Sequence, residues 1–254
     1  MTLVLNLVGL FGVLFRSKIS LSANILGKHF LKNNKSELVY VVYTCAKGIC
    51  QKFTIQEMEA NGDIISFYKV GWFEKSKDRI KHEKSKLDFL YSLKIVHFKF
   101  PRVLDYYEKG NCLFLNQTPS PKGNNKIKLR ITNCHLKALN ELYEKSRYRQ
   151  STHEFLNQLR KSVDVLKENF KLNEIYLDSI LGLYNFVQHR LNKAAEVSLV
   201  FSHGDFTPWN ILYSEVELFI FDWEMGDFRT PLWDLFNFIY HKNILIKKFK
   251  YSAI

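Results

Sequence analysis

Val200-Phe-Ser-His-Gly-Asp-Phe-Thr-Pro-Trp-Asn-Ile-Leu-Tyr213 is the stretch on which the reading of this chain turns. An apolar strand, Val197–Phe201, runs into a polar loop that carries His203, Asp205 and Asn210. A second apolar run, Leu218–Phe221, ends at Asp222, with Trp223 and Glu224 after it. A hairpin turning about Glu215–Glu217 and centred on Val216 sets Asn210 opposite Asp222. Cross-strand neighbours hold their Cβ atoms about 4.5–5.5 Å apart. Two oxygen ligands would then converge on one hard cation, as magnesium requires. Asp, Asn and His also cap turns for purely local reasons. The combination His-Gly-Asp-x-x-x-x-Asn, a strand, then Asp-Trp-Glu is far more specific than any one member.

Working back toward the N-terminus, Leu38–Tyr43, Gln51–Gln56 and Asp63–Val70 are rich in β-branched and aromatic residues. Ala46-Lys47-Gly48 and Asn61-Gly62-Asp63 separate them, so three antiparallel strands are expected. Ser76–Leu93 has helical spacing, with Ser76 or Asp78 as its cap. Phe100–Asp105 and Cys112–Leu115 read as two more strands, and Asn116–Asn125 is a Pro/Gly/Asn-rich break. Helices are expected over His135–Arg147, His153–Asn169 and Glu174–Leu191. A sheet-rich first half and a helix-rich second half give an α+β chain in two lobes. The divisions are an N-terminal extension over 1–36, a sheet lobe over 37–118 and a helical lobe over 119–254.

Two charges fall on apolar faces. Strand alternation puts Lys69 on the face of Ile65 and Phe67. Helical spacing puts Glu83 in line with Ile80, Leu87 and Leu90. Taken singly, each would snorkel to solvent at the edge of its face. Occurring one element apart, they are expected to pair, because an unpaired buried charge is very costly.

The 37 Lys+Arg and 25 Asp+Glu residues leave a net charge of +12, and the chain is 46% hydrophobic, which excludes disorder. Pro121–Lys171 holds 12 basic and 5 acidic residues, and Lys242–Lys250 adds four lysines. Such a balance favours anionic partners. Without a zinc-finger spacing or an RNA-binding signature, it is read mainly as solvated helix faces, and nucleic acid is disfavoured as a partner. Peripheral contact with an anionic membrane stays open. Cys45, Cys50, Cys112 and Cys134 form no CxxC pair, which suits a free-thiol, cytoplasmic protein. Thr2–Phe15 is apolar but too short to span a bilayer and lacks a basic segment before it, so a buried or interfacial segment is expected.

His203–Asn210 and Asp222-Trp223-Glu224 resemble the aminoglycoside phosphotransferase and choline kinase group. The resemblance implies a bilobal protein-kinase-like fold, with an antiparallel-sheet N-lobe and a mainly helical C-lobe. It implies ATP and Mg2+ as cofactors, a catalytic-loop acid at Asp205 and metal ligands at Asn210 and Asp222. Lys69 is implied as the phosphate-holding lysine of the third strand and Glu83 as its helix partner. Adenine is expected against backbone groups of Leu113–Thr118, with Leu115 and Gln117 among the nucleotide-binding residues. His203 and Asp234 are support residues; Asp234 lies in Phe228-Arg-Thr-Pro-Leu-Trp-Asp234, in a helix expected to begin at Pro231. Glu224 is read either as an aid to a second ion or acceptor amine, or as a solvated carboxylate.

The expected function is transfer of the ATP γ-phosphoryl group to the hydroxyl of a small-molecule acceptor. The basic helical half argues against a cationic acceptor and for a sugar or glycolipid precursor. Alternatives remain: an aminoglycoside or choline/ethanolamine-type kinase, a pseudokinase that binds nucleotide without turnover, and a basic membrane- or nucleic-acid-binding module. The pseudokinase reading is kept open because only residues 235–254 follow Asp234, where the family usually continues with helices that wall the acceptor site. The turn Cys45–Cys50 holds one glycine, a weak phosphate cradle by itself. Oligomeric state is not legible.

Overall fold

The computed structural model describes residues 5–8, 14–17, 38–44, 52–123, 125–169, 174–214 and 217–246. Leu5–Val8 (β1) and Leu14–Ser17 (β2) pair antiparallel, Leu5 opposite Ser17. The side chains of the Thr2–Phe15 run, and the Cys45–Cys50 turn, lie outside the described residues.

A five-stranded antiparallel sheet follows: β3 (Val39–Thr44), β4 (Lys52–Met58), β5 (Ile64–Gly71), β7 (Val103–Lys109) and β8 (Cys112–Gln117), in the order β3-β4-β5-β8-β7. The turn between β4 and β5 is the Asn-Gly one that the sequence announces. Gly62 takes φ +91°, and Asn61 Oδ1 accepts from Asp63 N at 2.8 Å. Alternation gives the sheet two faces. Tyr40, Val42, Ile55, Val70 and Phe114 pack as one apolar cluster. Leu113 and Leu115, on the other face, pack with Ile80 of helix α1 (Glu74–Ser92).

Lys69 lies between Thr54 and Leu115 in the register, on that second face. Its face differs from the apolar surface expected. Ile65, near the start of the strand, is exposed, whereas Lys69 is buried beside Leu115. The helix reading holds closely: Ile80, Glu83, Leu87 and Leu90 are all fully buried. Its start does not, because α1 begins at Glu74, with Ser76 inside the first turn. There Ser76 Oγ accepts from Phe73 N at 3.1 Å and donates to Phe73 O at 2.8 Å. Gly71 ends β5 so close to this turn that a Cβ on it would lie 2.9 Å from the Ser76 carbonyl carbon.

The expected strand Phe100–Asp105 is displaced to β7, since Pro101 cannot donate into a ladder. Phe98–Lys99 (β6) instead pairs in parallel with β12 (Leu218–Ile220) of the other lobe. The break read over Asn116–Asn125 begins later. Asn116 and Gln117 continue β8 between β5 and β7, where pairing on both sides overrides their turn preference.

The second lobe contains α2 (Asn133–Ser146), β9 (Tyr148–Ser151), α3 (Thr152–Asn169), α4 (Glu174–Leu191), β10 (Glu196–Ser202), β11 (Ile211–Tyr213), β13 (Asp227–Arg229) and α5 (Trp233–His241). The three expected helices fall within a few residues of their predicted bounds. The strands β9 and β13, at four and three residues, carry no periodic signal and were not expected. Both pair with β10, the central strand of the lobe. The main core runs across both lobes, from Leu87 and Leu90 of α1 through Phe98 to Phe201, Trp223 and Phe238. Trp223 stacks between Phe98 and Phe201, each at 6.0 Å between ring centroids. Burying each such ring contributes about 2–3 kcal/mol, so the residue after Asp222 anchors it to the core. Lys137, Arg147, Arg149, Arg160 and Lys161 of the basic stretch are exposed, as expected of solvated faces. Among the described residues no helix is long and apolar enough to cross a membrane.

Candidate active site

β10 delivers the chain to His203, which is fully buried. Its ring is held at both nitrogens. Nδ1 accepts from Asp205 N at 3.2 Å, so Nε2 carries the proton and donates to Phe221 O at 2.9 Å. The backbone N–H groups of His203 and Gly204 donate to the two carboxylate oxygens of Asp234, at 2.7 and 3.0 Å. Asp234 stands in the first turn of α5, 3% exposed. Burial raises its carboxyl above the ordinary value, opposed by His203 and the two N–H groups. The helix begins at Trp233, two residues later than expected, because Leu232 takes φ +70°.

Gly204 takes φ +83°, and a Cβ there would lie 2.2 Å from Met225 O. This is the one glycine of the loop, and both its backbone angle and its neighbour demand it. Asp205 follows, half-buried. Asn210 Nδ2 donates to Asp205 O at 3.0 Å and to Asp205 Oδ2 at 2.9 Å. Asn210 is itself fixed by its backbone N, which donates to Thr207 O at 3.0 Å. Asp205 Oδ1 and Asn210 Oδ1 have no hydrogen-bond partner among the described residues.

The hairpin register differs by one residue from that expected. Ile211 pairs with Ile220 and Tyr213 with Leu218, so Asn210 stands opposite Phe221, whose N donates to Asn210 O at 3.1 Å. The register is closed by Ser214 N donating to Glu217 O at 2.9 Å, which moves the centre of the turn by half a residue. Asp222 is therefore past the ladder. It adopts a left-handed conformation, φ +67° and ψ +57°, which an aspartate can take.

Asp222 meets the sheet lobe there. Lys69 Nζ lies 2.6 Å from Asp222 Oδ1, and 2.5 and 2.6 Å from the two oxygens of Glu83. The two charges read on neighbouring elements do pair. Gln117 Nε2 adds a bond to Glu83 Oε1 at 3.0 Å. Lys52, the first residue of β4, was not singled out by the sequence. It is 7% exposed and reaches Asp222 Oδ1 at 3.2 Å and Glu224 Oε2 at 2.5 Å. Arg79 of α1 reaches the other oxygen of Glu224 at 3.5 Å. Alternation along β4 would have found Lys52, since it shares a face with Thr54, the register partner of Lys69. Glu224 is thus engaged by two cations, not solvated.

Three cations and three carboxylates make this cluster neutral. Burial alone would raise the Asp222 carboxyl; Lys69 and then Lys52 overcome it and hold the group far below the usual carboxylate range. Burial would lower the Lys52 ammonium; Asp222, Glu83 and Glu224 overcome that and raise it.

Two expected nucleotide residues are placed otherwise. Leu115 is fully buried inside the sheet, paired with Lys69 on one side and Tyr106 on the other. Gln117 pairs with Phe67 and Val103 and turns its amide to Glu83. Their backbone groups are engaged in the ladder, and Thr118 N continues it by donating to Arg102 O at 2.8 Å.

Asp222 and Asn210 are the residues that would hold a magnesium ion. Asp222 offers a carboxylate and Asn210 an uncommitted amide oxygen, both hard donors. Oxygens of Glu83, Asp222 and Glu224 also lie within 4.8 Å of one another. Lys69 closes on both oxygens of Glu83 but on Oδ1 alone of Asp222, so Asp222 keeps an oxygen that Glu83 does not.

An antiparallel sheet bearing a paired lysine, set over a helical lobe with such a loop, defines a kinase-like phosphotransferase architecture. Residues 137–245 match the family described as phosphotransferase enzyme family. The streptomycin–ATP ternary complex of APH(2")-IIa aligns with a TM-score of 0.54 at 17% identity, over 92% of this chain and 84% of its own. The GDP complex of aminoglycoside 2'-phosphotransferase-IIIa gives 0.52 at 15%, over 86% and 75%. Choline kinase from Cryptosporidium parvum Iowa II gives 0.50 at 12%, over 80% of this chain and 63% of its own. At such identities these likenesses establish the fold. They bear out the expected resemblance to the aminoglycoside phosphotransferase and choline kinase group. No curated protein matches the sequence.

Proposed function

We propose that this chain is an ATP- and magnesium-dependent small-molecule kinase that phosphorylates a hydroxyl of a sugar or glycolipid precursor. The carrying observation is the meeting of Lys69 with Asp222 at 2.6 Å, which brings the phosphate-holding side of the cleft against the metal-holding side. ATP lies between the lobes, its base against the connection that follows β8. Lys69, fixed by Glu83, positions the phosphates. Asp222 and Asn210 would hold magnesium, which neutralises charge on the transferred group.

Asp205 orients the acceptor hydroxyl through Oδ1 and takes its proton. The acceptor oxygen bonds to the γ-phosphorus as the bond to the ADP oxygen breaks. Asn210 holds the second oxygen of Asp205, so the carboxylate presents one free atom to the acceptor. Positioning and electrostatics supply most of the rate. The basic stretch and the half-exposed Trp209 beside Asn210 support a neutral or anionic acceptor with an apolar face, as a sugar has.

The test is magnesium-dependent ATP consumption over sugars, amino alcohols and aminoglycosides, run beside Asp205→Asn. Turnover is expected with a sugar-type acceptor and a loss of about 10³-fold in the variant, with nucleotide affinity kept. Equal rates in the two proteins would remove Asp205 from the mechanism. Nucleotide binding with no turnover on any acceptor would leave the pseudokinase reading.

A further inference from the structure

The cleft holds two buried lysines on one sheet face, and they are held differently. Lys69 is clamped by both oxygens of Glu83, which is fully buried and steadied by Gln117. Lys52, on the neighbouring strand and two register positions away, has no such clamp. Its partners are Asp222 Oδ1, the same atom that Lys69 uses, and Glu224, which Arg79 shares. One carboxylate oxygen thus meets two ammonium groups.

We propose that Lys52 is a resident counter-cation of the cleft, which occupies Asp222 until a metal–nucleotide complex arrives and then moves to the phosphate oxygens. This rests on the kinase reading and adds to it an order of binding. A bare divalent cation at Asp222 meets the repulsion of both lysines, with nothing to take up their charge. Lys69 cannot leave Glu83 without exposing a buried carboxylate, so the lysine that must yield is Lys52. When the cation comes with its nucleotide, the phosphates supply the negative charge that Lys52 loses at Asp222. Glu224 keeps the ammonium close enough for that transfer. Lys52 therefore opposes the bare metal and favours the metal–nucleotide, so its removal has opposite signs for the two ligands.

The experiment measures Mn2+ binding without nucleotide, and Mn2+·AMP-PNP binding, in the wild type and in Lys52→Met, which keeps the aliphatic stem. Bare Mn2+ is expected to bind about tenfold more tightly in the variant, and Mn2+·AMP-PNP about tenfold more weakly, changes well within the reach of one unit charge at this range. Both constants unchanged, or both moved in one direction, would overturn the proposal and leave Lys52 as a staple between lobes. Wild type that fails to bind Mn2+·AMP-PNP at all would instead remove the kinase reading, and this inference with it.

A second measurement needs no variant. Amine acetylation read by mass spectrometry is expected to label Lys52 slowly in the free protein, faster with Mn2+ alone and slowly again with Mn2+·AMP-PNP, while Lys69 stays slow throughout. Labelling of Lys52 that ignores Mn2+ would also overturn it.

Discussion

On the helical side of the cleft, His203 and Gly204 are held by two N–H bonds to one buried carboxylate. On the sheet side, Lys69 and Lys52 are held by carboxylates that arrive from two separate elements, Glu83 from α1 and Asp222 and Glu224 from one turn of the other lobe. The first wall is a backbone construction. Asp234 takes both N–H groups, His203 ties the loop to Phe221 O, and Gly204 fits against Met225 O. The second wall is a charge construction, in which Lys52, Lys69 and Arg79 are matched to Glu83, Asp222 and Glu224. Backbone geometry admits one arrangement, whereas a set of like and unlike charges can exchange partners. The loop wall is therefore fixed, and the charged wall can adjust.

The sharpest way to break that contrast is Gly204→Ala. The Cβ meets Met225 O at 2.2 Å and the residue keeps a positive φ, so a destabilisation above about 3 kcal/mol and loss of turnover are expected. Urea unfolding measures the first; a change under about 0.5 kcal/mol would mean that the loop is not held by its backbone. Asp234→Ala comes next. It strands two buried N–H donors, an effect of about 2–5 kcal/mol, and turnover should fall with it. Asp234→Asn, which can still accept one of those bonds, should lose less in the same titration.

On the other wall Glu83→Gln is expected to be milder, about 1–2 kcal/mol, because Asp222 still meets Lys69. Its signature is a weaker nucleotide affinity that varies with salt more steeply than in Asp234→Asn. Equal salt dependence would erase the distinction between the walls. The smallest effect concerns His135 at the start of α2. Its Nδ1 accepts from Thr132 N at 3.2 Å, and its ring packs on Phe238 at 5.4 Å between centroids. Burial, helped by Lys128, pushes this imidazole down to about 4 from its usual 6.5. The unfolded chain protonates first, so the stability this neutral ring contributes is present above pH 6.5 and is lost as pH falls toward 4. His135→Gln should flatten that part of the stability profile; an unchanged slope would show that the imidazole is not held neutral.

The loop residues were legible because His203, Asp205 and Asn210 lie within eight positions, and local chain geometry brings them together. Lys69 and Glu83 were legible for another reason, that a charge on the side of an element that faces inward calls for a partner. Lys52 was missed because the strand before Asn61 was read for its apolar residues alone. Asn116 and Gln117 were left out of the strand because the end of β8 was drawn at a cluster of turn formers. There β5 and β7 pair with it on both sides, and ladder bonds outweigh local preference. The shift of the Asn210 hairpin by one residue has the same origin: Ser214-Glu-Val-Glu217 names no turn type, so only the completed ladder fixes the register.

By itself the sequence determined the two-lobed α+β division, the identity of the loop acids and the need for a lysine–carboxylate pair, since each follows from periodicity or from the cost of burying charge. Only the tertiary structure decided which carboxylates share which cations, that Asp222 leaves the ladder in a left-handed turn, and that Lys52 reaches across from the sheet. These depend on contacts between residues more than a hundred and fifty positions apart, whose distances no local pattern encodes.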